Sequence, residues 1–108
     1  MDDPTINASC QTIKEVPFMQ GFHFCTKGGH YTGISAVSLY DFTEKLKTID
    51  KAAIDFHVRR HDFQTWIRDI FGDDELAWEM DRITNSERNL RQHLVDTINS
   101  HINVVSIR

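Results

Sequence analysis

Several common signatures are missing from this chain. It has no C-x-x-C, no H-E-x-x-H and no G-x-x-x-x-G-K-[ST]. The two-cysteine zinc site, the zinc protease helix and the P-loop therefore all lack their defining residues. The chain has only two cysteines, Cys10 and Cys25, fifteen residues apart. Cys10 stands in a polar segment and Cys25 in an apolar one. Reduced thiols in the cytoplasm are a simpler reading than a disulfide framework. No apolar run approaches the roughly 18 residues of a membrane span. The opening residues, MDDPTINAS, are acidic and polar, unlike a secretory signal. Net positive charge is also absent. The formal charge is −4, which argues against generic nucleic-acid binding because that binding is driven by neutralising phosphates. There is no internal repeat and no low-complexity segment.

What remains is an ordinary globular composition: 108 residues, 40% hydrophobic and 26% charged, enough for one domain with one core. The periodicity is clearest in the middle of the chain. Phe63, Trp66, Ile67, Ile70 and Phe71 fall on one helical face. Asp62 is placed to accept from the free N–H groups of the first turn, and Gly72 suits a left-handed stop. The spacing thus predicts a helix over 62–71. Asp73 can cap the next helix, with Asp74 and Glu75 at its positive end and Leu76, Ala77, Met80 and Ile83 inward. Upstream, Asp50 can cap a helix to about Arg60, with Ala53, Ile54, His57 and Val58 inward and His61 a further candidate for that face. Ser38 opens a helix to about 48 through Leu39, Phe42 and Leu46. The last helix is expected to start at Thr84, in a T-x-x-E relation with Glu87, and to reach about Asn103. Its apolar tail, Val104-Val105-Ser106-Ile107, is either packed on the core or a contact for another subunit.

The front of the chain reads differently. Residues 1–16 lack periodicity and suggest a flexible arm. Residues 17–34 are glycine-rich, with a candidate strand at Phe22–Cys25, a turn at Lys27-Gly28-Gly29-His30 and a returning strand at Tyr31–Ile34. The expected fold is mainly α: a compact five-helix domain over 17–108 with a short N-terminal β-hairpin or extended loop.

The order Ser38–Leu46, then I-x-x-H-x-x-x-x-D-F-x-x-W-I at Ile54, His57, Asp62, Phe63, Trp66 and Ile67, carries a resemblance. It continues through Gly72, Leu76-Ala77 and L-R-x-x-L at Leu90, Arg91 and Leu94. This pattern resembles a domain family of unknown function found in archaea and bacteria. Some of its members sit beside or within sugar-active proteins such as glycosyltransferases and amylase-like enzymes. The resemblance implies an accessory role and fixes no catalytic residue.

Candidate sites follow from residue chemistry. His57 and His61 would share a face if their helix were continuous, and Asp62, His23, Cys25 and His30 could add ligands for zinc or a related ion. The plainer reading is a core His57, hydrogen-bonded, with His61 at the helix break and no cofactor. Asp62 as an acid or base has the same kind of plainer alternative, a helix cap. Lys27-Gly28-Gly29-His30 could cradle a phosphate, but a turn suffices. Arg59, Arg60, Arg88 and Arg91 could form a basic patch for nucleic acid, or a solvated face. Trp78 shares a turn with Arg82 and falls off the inner face of its helix. An exposed tryptophan beside an arginine is typical of a protein contact. Burial under a neighbouring helix is the alternative. Trp78, Arg82, Arg88 and Arg91 are therefore the candidate binding residues. The expected role is a non-enzymatic protein-interaction or regulatory module, with a protein partner or homo-oligomer and no membrane association. The alternatives are a metal- or small-ligand-binding domain using the His57/His61 region and a nucleic-acid-binding protein using Arg59, Arg60, Arg88 and Arg91.

Overall fold

The computed structural model describes residues 14–84 and 88–106. Among these the chain forms a two-stranded antiparallel hairpin followed by five helices. The hairpin is β1 (Phe22–Thr26) and β2 (His30–Ala36). The helices are α1 (Leu39–Leu46), α2 (Lys51–Arg60), α3 (Asp62–Phe71), α4 (Asp74–Asp81) and α5 (Leu90–Ser106). None is long and apolar enough to cross a membrane.

Local chemistry sets most boundaries. Ser38 Oγ accepts from the Asp41 N–H, Asp50 from Ala52 and Asp73 from Leu76, so three of the five helices open on a side-chain cap. Gly72 ends α3 in the left-handed region at φ 66°. The junction of α2 and α3 is less usual. His61, at φ 61° and ψ 29°, closes α2 and opens α3 at once. No other non-glycine residue among those described has positive φ. Asp62 is thus the first residue of α3 and not its cap. Its Oδ2 bonds His57 and Arg60 instead, which corrects the expectation from sequence.

The hairpin turns through Lys27–Gly29, with Gly28 and Gly29 both at φ 78°. The pairing runs Phe22↔Ala36, His23↔Ser35, Cys25↔Tyr31 and Thr26↔His30, with an irregularity between His23 and Cys25. β2 therefore carries the extra residues, Gly33 among them at φ 85°. A two-stranded ribbon is marginal alone in water, so its inner face must be covered. Phe22 and Phe24 supply that face. The Phe22 ring lies 5.4 Å from Phe42, 5.1 Å from Phe63 and 5.5 Å from Trp66. Phe24 stacks on Phe42 at 5.4 Å. Helices α1, α2 and α3 thus meet the hairpin through one aromatic cluster. At the entry to β1, a Cβ on Gly21 would come within 2.6 Å of the Ala36 carbonyl oxygen, so this approach excludes any side chain.

The expected arm over 1–16 lies outside the described residues up to position 13. Val16 is buried, and its N–H donates to the Val37 carbonyl at 2.7 Å. The Thr84 start for the last helix moves to Leu90, and Glu87 lies outside the described residues. That helix also runs past Asn103 to Ser106. Within its tail Val105 is buried and Val104 is exposed, while Ile107 is not described.

His61 generates a stability test. A left-handed β-carbon costs about 1–2 kcal/mol, and glycine avoids it at some entropic cost. His61→Gly is expected to stabilise by roughly 0.5–1 kcal/mol and His61→Val to destabilise by at least as much, read by urea denaturation. Equal midpoints for the two variants would contradict the left-handed assignment.

Candidate functional site

His57 sits where three elements meet. Ile54, His57 and Val58 face inward from α2, and His57 is 4% exposed. Its Nε2 accepts from the Cys25 backbone N–H in β1 at 2.8 Å. A backbone amide can only donate, so Nε2 must be unprotonated. The proton then lies on Nδ1 and points to Asp62 Oδ2, 2.8 Å away. Arg60 Nε donates to the same oxygen at 3.0 Å. Ring edges enclose the imidazole, with Phe22 at 4.7 Å, Phe56 at 5.0 Å and Phe63 at 5.5 Å. This burial lowers the His57 pKa from the ordinary 6.5, outweighing the opposite pull of Asp62, and Arg60 lowers it further. Protonation would also turn Nε2 into a donor facing a donor.

His61 does not join His57. It sits in the left-handed corner, largely exposed, with Nδ1 accepting from Gln64 at 2.8 Å and 3.5 Å from Asp81. Of the front-loop residues, His23 Nδ1 bonds Ser35 at 2.7 Å, His30 is exposed, and the Cys25 thiol points to the His23 carbonyl at 3.6 Å. Among the described residues no group of three or more His, Cys, Asp or Glu side chains could hold a metal ion. A metal at His57 would first have to displace a backbone donor from Nε2 or the carboxylate from Nδ1.

The arginines divide. Arg59 and Arg60 line one depression beside the hairpin turn, and Arg88 and Arg91 line another beside Lys51. Arg91 donates to the Leu46 carbonyl at 2.6 Å, so it fastens α5 to the end of α1. Arg60 is held by Asp62 and lies over the Phe56 ring at 5.1 Å. Arg59 and Arg88 remain exposed.

The two tryptophans take opposite roles. Trp66 is 7% exposed and its Nε1–H donates to the Gln20 carbonyl at 2.8 Å. Trp78 is 60% exposed, and the Arg82 guanidinium lies 4.9 Å from its ring centre. Trp78, Glu79, Arg82, Ile83, His93 and Thr97 line a depression of about 350 Å³ between α4 and α5.

One buried pair was not anticipated. His101 Nε2 lies 2.6 Å from Asp73 Oδ2, with both side chains buried. The same carboxylate caps α4 through Oδ1, so Asp73 ties α5 to the start of α4. The hydrogen bond to Asp73 raises the His101 pKa against the opposing effect of burial, with help from Asp73, Glu75 and Glu79 charges. The sequence signal available was a histidine beside the apolar stripe of α5, four residues beyond Thr97. Nothing local named its partner 28 positions away.

No family model, curated protein or solved structure matches the chain. Its geometry is therefore the ground for any functional reading.

The two buried histidines oppose each other in pH dependence. His101, raised in the fold, contributes stability that is complete below 6.5 and lost as pH rises through its folded value. His57, lowered in the fold, contributes stability that is present above 6.5 and lost as pH falls through its folded value. Urea denaturation between about pH 5 and about pH 8 should show stability falling on both sides of neutrality. His101→Gln should remove the decline on the alkaline side. An unchanged alkaline slope in that variant would break the assignment.

Proposed function

We propose that the chain is a protein-interaction module that docks through the face carrying Trp78 and Arg82. The observation behind this reading is that Trp78 is 60% exposed while Arg82 holds its ring at 4.9 Å. An exposed indole leaves apolar area in water that a partner would cover. The guanidinium stacked on it restricts both side chains before binding, which reduces the ordering cost at contact. Tryptophan and arginine are also the residues that most often dominate interface energetics. The depression beside them, also lined by Glu79, Ile83, His93 and Thr97, offers a recess for one partner side chain. The partner is another protein or a second copy of this chain. The family resemblance adds the expectation of an accessory role beside sugar-active enzymes.

The test uses the tagged full chain and its Trp78→Ala and Arg82→Ala variants in affinity capture from native extract, alongside light scattering over a concentration series. Each variant is expected to weaken capture of a stoichiometric partner, or self-association, about tenfold, because interface anchors of this kind contribute at least 1–2 kcal/mol. Unfolding midpoints should barely move, since neither side chain is in the core. A complex that survives both substitutions unweakened would overturn this reading. A strict monomer at all concentrations would remove the second copy as partner.

A further inference from the structure

The turn Lys27–Gly29 packs against α2, and this brings Lys27 to Arg59 and Arg60 across a depression of about 430 Å³. Ala52 and Phe56 contribute its apolar part and Asp55 completes the lining. A cleft of this size falls within the range that small organic ligands occupy. Three cations therefore surround apolar carbon in a chain whose net charge is −4.

These cations differ in how they are held. Asp62 bonds Arg60, and the Phe56 ring lies beneath its guanidinium at 5.1 Å. Asp62 is anchored in turn by His57, which is anchored by the Cys25 N–H. The guanidinium is thus positioned from the core outward before any ligand arrives. The described residues hold no ion pair for Lys27 or Arg59. Asp55, the one carboxylate in the lining, is itself paired with Lys51 Nζ at 3.0 Å. The carbonyls of the last α2 turn, at His57 and Val58, accept the His61 N–H.

We propose that this cleft binds a small organic phosphate with an aromatic body, its phosphate among Lys27, Arg59 and Arg60 and its ring against Phe56 and Ala52. Lys27 and Arg59 carry no ion pair among the described residues and Arg60, offset by Asp62, adds oriented N–H donors, a set that a dianionic head matches better than a single carboxylate does. A short ligand meets this local field without meeting the acidic remainder of the surface, which a polyanion would cross. The second basic depression is a poorer candidate. There Lys51 is paired with Asp55 and Arg91 with the Leu46 carbonyl, which leaves Arg88 alone.

The experiment is an amide NMR titration of the full chain with phenyl phosphate, run beside inorganic phosphate. Saturable shifts are expected at residues 27–30 and 52–60, with phenyl phosphate binding about tenfold more tightly than inorganic phosphate. Lys27→Ala and Arg59→Ala, both on exposed side chains, should each weaken phenyl phosphate about fivefold or more. Arg88→Ala and Trp78→Ala should leave it unchanged. No saturable shift by about 10 mM phenyl phosphate would overturn the proposal. So would equal affinity for inorganic phosphate, or equal weakening by Arg88→Ala. Trp78→Ala separates this site from the protein-docking reading, since loss of capture with retained phenyl phosphate binding marks two independent sites.

Discussion

The hydrogen bond from the Cys25 N–H to His57 Nε2 is the constraint on which the arrangement turns. It is one bond, but it fixes three things. It ties the hairpin to α2. It assigns the imidazole proton to Nδ1 and so orients the ring toward Asp62. It makes the neutral histidine the one that fits. Around it the Phe22 ring reaches Phe42, Phe63 and Trp66, so the polar tie and the aromatic cluster reinforce each other. Removing the acceptor would leave a donor facing an apolar cluster, and an unsatisfied buried group costs about 1–3 kcal/mol. Among the described residues no buried side-chain nitrogen or oxygen lacks a partner.

The helical part of this fold was legible because its rules are local. Phe63, Trp66, Ile67 and Phe71 repeat at helical spacing and are all buried. Ser38, Asp50 and Asp73 cap the helices they were expected to cap, since a cap acts within three residues. Asp62 failed the same rule for a physical reason. His61 takes the left-handed conformation that ends one helix and starts the next, so Asp62 enters the helix and its carboxylate turns back to His57 and Arg60. Thr84 carried a plausible cap pattern, but the helix begins at Leu90. The ties that assemble the elements were not legible. Cys25 to His57, Asp73 to His101, Leu46 to Arg91 and Gln20 to Trp66 span 28 to 46 positions, and no periodicity encodes such pairs.

The candidate sites divide along the same line. Trp78 falls off the Leu76–Met80 face, which left open an outward contact residue or burial under a neighbouring helix, and it is exposed. The cleft of Lys27, Arg59 and Arg60 was not readable as a unit, because only the folding of the hairpin onto α2 brings Lys27 to the arginines. The residues of I-x-x-H-x-x-x-x-D-F-x-x-W-I turn out to be neighbours in the core: Ile54, Phe63, Trp66 and Ile67 are buried, and His57 and Asp62 are bonded to each other. A motif of that kind specifies how α2, α3 and the hairpin fit together. The surface chemistry lies on residues the motif does not include.

The state of the His57 ring decides how the hairpin is tied to α2, and nitrogen-15 shifts of the histidine side chains read that state directly. At neutral pH His57 should show a protonated Nδ1 and an unprotonated, acceptor-type Nε2, and its titration should fall below the ordinary histidine pKa. A ring protonated on both nitrogens at neutral pH, or the opposite tautomer, would contradict the tie to Cys25 and the order built on it.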